Sequence, residues 1–133
     1  MGKQRSSKMA GDLIVGIWQA TDLAFLKAAG WANMTIEIVG AAFHMFGANP
    51  YGFGGKLDIR GTLALGPDAA LRQIDLKITD SNNQVFFRNG EGMPGLFTLS
   101  ADGRQMTIIW GSTQFFIARP AALAGAAVFT KEV

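Results

Sequence analysis

KLDIRGTLALGPDAALRQIDLKIT, residues 56–79, decides the fold class. Leu57, Ile59, Gly61, Leu63 and Leu65 alternate with Lys56, Asp58, Arg60 and Thr62, the period-two pattern of a strand with one buried and one solvated face. Gly66-Pro67-Asp68 supplies turn chemistry, after which Ile74, Leu76 and Ile78 alternate with Gln73, Asp75, Lys77 and Thr79 on a returning strand. Two amphipathic strands joined by a short turn predict an antiparallel sheet.

The same pattern extends in both directions. Downstream, Asp80-Ser81-Asn82-Asn83 reads as a turn, 84–88 as a short strand and 89–95 as a connection. Residues 96–100 and 104–110 flank Ala101-Asp102-Gly103, where Asp-Gly accepts the positive φ angles of a tight hairpin. Strands at 114–118 and 126–131 complete that half. Upstream, 13–20 (LIVGIWQA) predict a first strand that is apolar on both sides, with Gly16 admitting a close neighbour. Residues 21–31 read as one or two turns of helix, started by Thr21-Asp22 and stopped by Gly30. Residues 32–46 read as a long strand or a bent pair, interrupted at Gly40-Ala41-Ala42. The glycine-rich loop 47–55 (GANPYGFGG) is no phosphate cradle, because it leads through Lys56 into a strand rather than a helix. Eight or nine strands with turn signals about every 8 to 14 residues give an all-β barrel or sandwich.

Composition removes several function classes. A chain of 133 residues suits one domain, and the lack of cysteine excludes disulfides, thiolate metal sites and cysteine nucleophiles. Of 12 Lys and Arg, Lys3, Arg5 and Lys8 fall in the first ten residues, so the remainder sets nine bases against 10 acids. Nucleic-acid binding needs a basic face, and no run of bases after residue 10 builds one. Residues 1–10 are expected to be a disordered leader or tag and 11–133 the barrel domain. The start is polar and basic, and no apolar run after it has the length expected of a membrane span or the shape expected of a signal-peptide core. A cytoplasmic protein is expected, with secretion as the alternative if a signal peptide was removed.

Gly16-Ile17-Trp18 on the first strand resembles the G-x-W signature of the lipocalin and calycin superfamily, in which the Trp plugs the closed end of a barrel. The block Arg60-Gly61-Thr62-Leu63-Ala64-Leu65-Gly66-Pro67 followed by Gln73-Ile74-Asp75-Leu76 is similar to a family of small bacterial lipocalin-like domains of unassigned function. Gly95-Leu96-Phe97 with Leu99, Met106-Thr107-Ile108 and Arg119-Pro120 extend the resemblance over about residues 11–133, although Gly66 and Leu123 stand where that pattern has Asp and Phe. The resemblance implies an eight- or nine-stranded antiparallel lipocalin-like barrel with one short helix. It brings no catalytic residues with it.

A barrel of this size surrounds a space that side chains fill or a small ligand occupies. The expected function is therefore binding of a small hydrophobic molecule in the barrel pocket, with no cofactor, and homo-oligomerisation stays open. Trp31, Phe46, Tyr51, Phe97, Trp110 and Phe115 are the candidate aromatic lining, each with core packing as its competing role. Arg119 either closes the barrel end by stacking on an indole, as lipocalin-like barrels commonly do with their first-strand Trp, or meets an anionic ligand. His44, the single histidine, is the one candidate general acid or base. The alternative function is a small barrel enzyme, a hydrolase, isomerase or cyclase, with His44 and Tyr51 as catalytic residues. A filled barrel acting as an interaction module is the third reading. If the strand from Met34 continues without a bulge His44 points inward, and if one residue is inserted at Gly40–Ala42 it points outward. No His or acid cluster has metal-ligand spacing, and no G-x-S-x-G elbow is present.

Overall fold

The computed structural model describes residues 13–22, 27 and 30–132. Eight strands run in chain order: β1 (Gly16–Asp22), β2 (Thr35–Val39), β3 (Ala42–Phe53), β4 (Lys56–Leu65), β5 (Arg72–Ser81), β6 (Gly92–Leu99), β7 (Gln105–Trp110) and β8 (Ala127–Lys131). Each pairs antiparallel with the next, and β8 pairs with β1, so the meander closes into a barrel without a free edge.

Alternation sets which side chains fill it. Leu57, Ile59 and Leu63 of β4 and Ile74, Leu76 and Ile78 of β5 point inward, as the sequence pattern requires. They join Ile36 and Ile38 of β2, Phe43 and Met45 of β3, Met93 and Phe97 of β6, Met106 and Ile108 of β7, and Ala127 and Phe129 of β8 in one contiguous apolar cluster. Each large side chain withdrawn from water contributes about 1.5 to 3 kcal/mol. The waist of the barrel is thus occupied by the protein's own side chains.

Gly61 is the point of closest approach within this core. A Cβ there would lie 1.9 Å from the Lys77 carbonyl oxygen and 2.6 Å from Phe43 Cε2, beside the register shift between β4 and β5. Glycine lets the Phe43 ring and the neighbouring backbone share that space.

Several expected elements differ. Of the long strand or bent pair expected over 32–46, the structure has a pair, β2 and β3, joined as a hairpin, because Gly40, at φ 59°, and Ala41 make a two-residue turn that pairs Val39 with Ala42. Ile38 then faces Phe43, and His44 falls on the outer wall opposite Glu37. Residues 84–88 are a turn instead of a strand: Asn83 Oδ1 accepts the backbone N–H groups of Val85 and Phe86, an Asx arrangement that competes with strand pairing. Residues 114–118 curl into a loop clasped by the isolated Ser112–Ile117 bridge, so the ninth strand is not formed. The first strand begins at Gly16, with Leu13 and Ile14 in a helical turn before it. The expected helix over 21–31 starts too early, since β1 runs to Asp22, and most of its remaining residues lie outside the described ones, as does the leader 1–10.

Trp18 seals one end. Its side chain is fully buried, its indole N–H donates to the Ile14 carbonyl at 2.8 Å, and Lys131 Nζ stands 5.0 Å from the ring centroid. Lys131 is the cross-strand partner of Trp18 on β8, and its ammonium also donates to the Leu13 carbonyl at 2.6 Å. Gly16, at φ 147°, leaves room for the Lys131 stem, whose Cε would lie 3.2 Å from a Cβ at that position. Lys131 therefore takes the place over the indole that the resemblance assigned to Arg119. Trp18→Ala should lower unfolding free energy by about 3 to 5 kcal/mol in chemical denaturation, the cost of emptying a large aromatic site that closed strands cannot collapse into. A loss below about 1 kcal/mol would show that the plug is not part of the core.

Candidate functional site

In an up-and-down barrel alternate connections lie at the same end. The turns at 40–41, 66–71 and 100–104 share the Trp18 end, and the connections 23–34, 54–55, 82–91 and 111–126 share the other. Chemistry separates along this axis. The buried polar or charged side chains among the described residues, Asn49, Ser81 and Glu91, all belong to the second end.

Each reaches the interior by strand parity. Asn49 continues the inward series Phe43, Met45, Gly47 on β3, and its Oδ1 accepts the Tyr51 backbone N–H at 2.9 Å. Ser81 pairs with inward-facing Ile59, and its hydroxyl is engaged by the Asn83 backbone. Glu91 precedes β6 in the phase of Met93, and Ser112 follows β7 in the phase of Trp110. The Ser112 hydroxyl donates to Glu91 Oε2.

Glu91 is the atypical member. The residue is only 6% exposed, and its Oε1 is buried with no hydrogen-bond partner among the described residues. Burial raises its carboxyl above the ordinary value of 4.5, against the lowering effects of the Ser112 hydroxyl, the Arg88 backbone and the Arg88 charge. An unsatisfied buried carboxylate oxygen costs on the order of 1 to 3 kcal/mol, so this group is either strained or poised for a donor.

The aromatic candidates divide into three groups. Trp31 and Phe97 are buried, and Trp110 packs half-buried on the same core. Tyr51 and Phe115 are exposed at the rim, on either side of Phe86, with ring centroids 5.3 and 6.4 Å from it. Phe46 lies on the outer wall with its ring 4.5 Å from that of His44. Phe86 escaped the sequence reading because it sat in a presumed strand, and Glu91 because a glutamate in a Gly-rich connection reads as solvated.

His44 stands between two carboxylates on that outer wall. Nε2 is 2.8 Å from Asp58 Oδ1 and Nδ1 is 3.4 Å from Glu37 Oε1, with Arg60 Nε 3.7 Å from the same Asp58 oxygen. The imidazole and its two acids make a polar cross-strand ladder over β2, β3 and β4. Tyr51 packs on Phe86 rather than in this ladder. The cluster has no arrangement of three or more His, Asp or Glu suited to a metal ion among the described residues. Arg119 lies outside the barrel, where its guanidinium donates to the Gly95 carbonyl at 2.9 Å and to Asp75 Oδ1 at 2.6 Å. It pins the β7–β8 connection to β5 and β6.

The shifted carboxyl gives a signed prediction. A folded-state value raised above 4.5 means that Glu91's contribution is fully present below that pH and lost as pH rises through the folded value. Glu91→Gln should therefore be more stable than the parent at neutral pH, by on the order of 1 kcal/mol, and the gap should close toward pH 4.5. Parallel urea titrations across that range test it, and identical pH profiles would refute it.

Comparison with protein-family models, with curated proteins and with solved structures finds no match. The closed eight-stranded antiparallel barrel is consistent with a lipocalin-like fold, and the family likeness rests on the motif residues alone.

Proposed function

We propose that this protein binds a small amphipathic molecule at the Glu91 end of the barrel. The observation that carries the reading is the buried, unpartnered Oε1 of Glu91, next to Ser112, at the end where Asn49 and Ser81 are also buried. Binding sites combine an apolar lining with a few fixed polar groups, and this end has both. Half-buried Trp110 offers apolar surface for the body of the molecule, while Oε1 accepts from its head. The head is accordingly a donor, a hydroxyl or an amine, rather than a carboxylate that would face a second carboxyl group. Because the waist is filled, the ligand lies near the end of the barrel instead of threading its length.

Displacement of Nile red by dodecanol, dodecylamine and laurate tests this. The alcohol and the amine should compete and laurate should not, with Glu91→Gln weakening the amine by about tenfold or more through loss of a charge-assisted contact. Failure of both dodecanol and dodecylamine to displace the dye, or equal competition by laurate, would reject the proposal.

The enzymatic alternative has one supporting observation, the 2.8 Å contact between His44 and Asp58, which orients the imidazole. It would operate in the outer-wall groove lined by Glu37, Ala42, His44, Arg60 and Thr79, apart from the Glu91 end. His44→Ala should leave dye displacement unchanged and abolish any ester turnover. Turnover that survives the substitution removes this alternative.

A further inference from the structure

Asn89-Gly90 is the one Asn-Gly pair in the chain, and it stands immediately before Glu91. The two residues form the corner of a tight turn, closed by the Glu91 N–H donating to the Arg88 carbonyl at 3.0 Å. Gly90, at φ 91°, takes the positive value that the third position of a type II turn requires. The turn runs straight into a bulge in which Gly90 and Glu91 together oppose Ile78 of β5. The Gly90 N–H donates to the Ile78 carbonyl at 2.7 Å, and the Ile78 N–H donates to the Glu91 carbonyl at 2.9 Å. Both backbone groups of Glu91 are anchored in this turn and bulge, which set where its carboxyl enters the barrel.

An asparagine followed by glycine carries an electrophile and a nucleophile in adjacent residues. The Gly90 amide nitrogen, after giving its proton to hydroxide, attacks Asn89 Cγ and closes a succinimide ring. The Cγ–Nδ2 bond breaks, and Nδ2 leaves as ammonia with a proton from water, which restores the hydroxide. Water then opens the ring at either carbonyl, leaving aspartate, or isoaspartate with the main chain running through Cβ and Cγ. Asn89 and Gly90 are both exposed, and the space where a side chain would stand at Gly90 is open to 4 Å, so nothing bars the attack.

Other positions lack this combination. Asn33, Asn49, Asn82 and Asn83 precede Met, Pro, Asn and Gln, whose side chains or ring obstruct the same step. Asp102-Gly103 has the glycine, but the Ser100 hydroxyl at 2.6 Å and the Arg104 N–H at 3.0 Å hold the carboxylate ionised, which makes it a poor electrophile. At Asn89 the reacting groups are instead held in neutral hydrogen bonds. The Gly90 N–H is on the Ile78 carbonyl, and Asn89 Oδ1 accepts Gln84 Nε2 at 2.8 Å. Loss of the Gly90 proton therefore waits for local opening of the bulge, as amide hydrogen exchange does.

We propose that Asn89 is a site of self-modification, where local opening of the 88–91 turn lets the chain convert Asn89 to isoaspartate and the lengthened turn displaces Glu91 from the end of the barrel. The extra main-chain atom lies between the bond that closes the turn and the bonds that form the bulge, so the two cannot both be kept. The conversion stands on this geometry alone. Its effect on ligand binding rests on the reading of Glu91 given above.

Peptide mass spectrometry of folded protein held at mildly alkaline pH tests the conversion. The tryptic peptide 89–104 should gain the mass that turns an amide into an acid, and should accept a methyl group from an isoaspartyl methyltransferase. Peptide 78–88, which carries Asn82 and Asn83, should stay unchanged, and so should the Asn89→Gln protein. Unfolding in urea should speed conversion by about tenfold or more, because it removes the guarding hydrogen bonds. The aged fraction, separated by its added negative charge, should lose the pH-dependent stability that distinguishes the parent from Glu91→Gln. Its competition by dodecylamine should weaken by about tenfold, while Asn89→Asp, with the charge but not the longer main chain, keeps it. No gain at Asn89, equal rates in the folded protein and in urea, or an isoaspartyl fraction with the parent's pH profile overturns the proposal. If dodecylamine fails to compete before ageing, the ligand reading falls, and the pH profile alone judges the displacement of Glu91.

Discussion

The pairing of β8 with β1 is the constraint on which the rest of the molecule depends. Closure satisfies the strand edges and divides side chains into those inside and those outside, a division that a one-residue slip would invert. Trp18 and Lys131 lie across this seam from one another, so the plug and the closure are one structure. The indole fills the end with apolar volume, while its N–H and the lysine ammonium occupy the carbonyls of Ile14 and Leu13. The carbonyls just ahead of β1 are thus satisfied from both strands of the seam.

The two ends consequently serve opposite requirements. At the Trp18 end the polar atoms of the plug find partners, and short turns such as Asp102, whose carboxylate is held below its ordinary value chiefly by the Ser100 hydroxyl, complete the closure. At the other end the barrel keeps Asn49, Ser81 and Glu91 out of water and leaves Glu91 Oε1 unsatisfied. A fold stabilised by a margin of several kcal/mol tolerates such a group only where the surrounding packing is secure. The filled waist, built from Ile59, Ile78, Met93 and Met106 among others, provides that security.

The outer wall shows how alternation separates similar-looking residues. His44 and Met45 are adjacent in sequence, yet one stands in a polar ladder with Glu37 and Asp58 and the other in the apolar core. Arg119 and Lys131 make the reverse comparison. Both are cations near the chain's end, and the shorter side chain closes the barrel because it lies opposite Trp18, whereas the Arg binds Asp75 from outside.

Local pattern determined much of this protein. The alternation at 56–65 and 72–79, the hairpin at Asp102-Gly103 and the burial of Trp18 are all legible because period-two hydrophobicity and turn residues act over a few residues. The all-β class and antiparallel meander follow from the same signals. Tertiary structure alone decided three things. It set the phase of β3, since a two-residue turn at Gly40-Ala41 rather than a bulge put His44 outside. It replaced strands at 84–88 and 114–118 with loops, because Asn83 and Ser112 gave their backbones other partners. It also brought Glu91 beside Ser112 and Tyr51 beside Phe86 and Phe115, residues whose meeting depends on ring closure and strand order. Sequence encodes which face each strand buries, but the contents of each end are fixed only when the strands share one closed register.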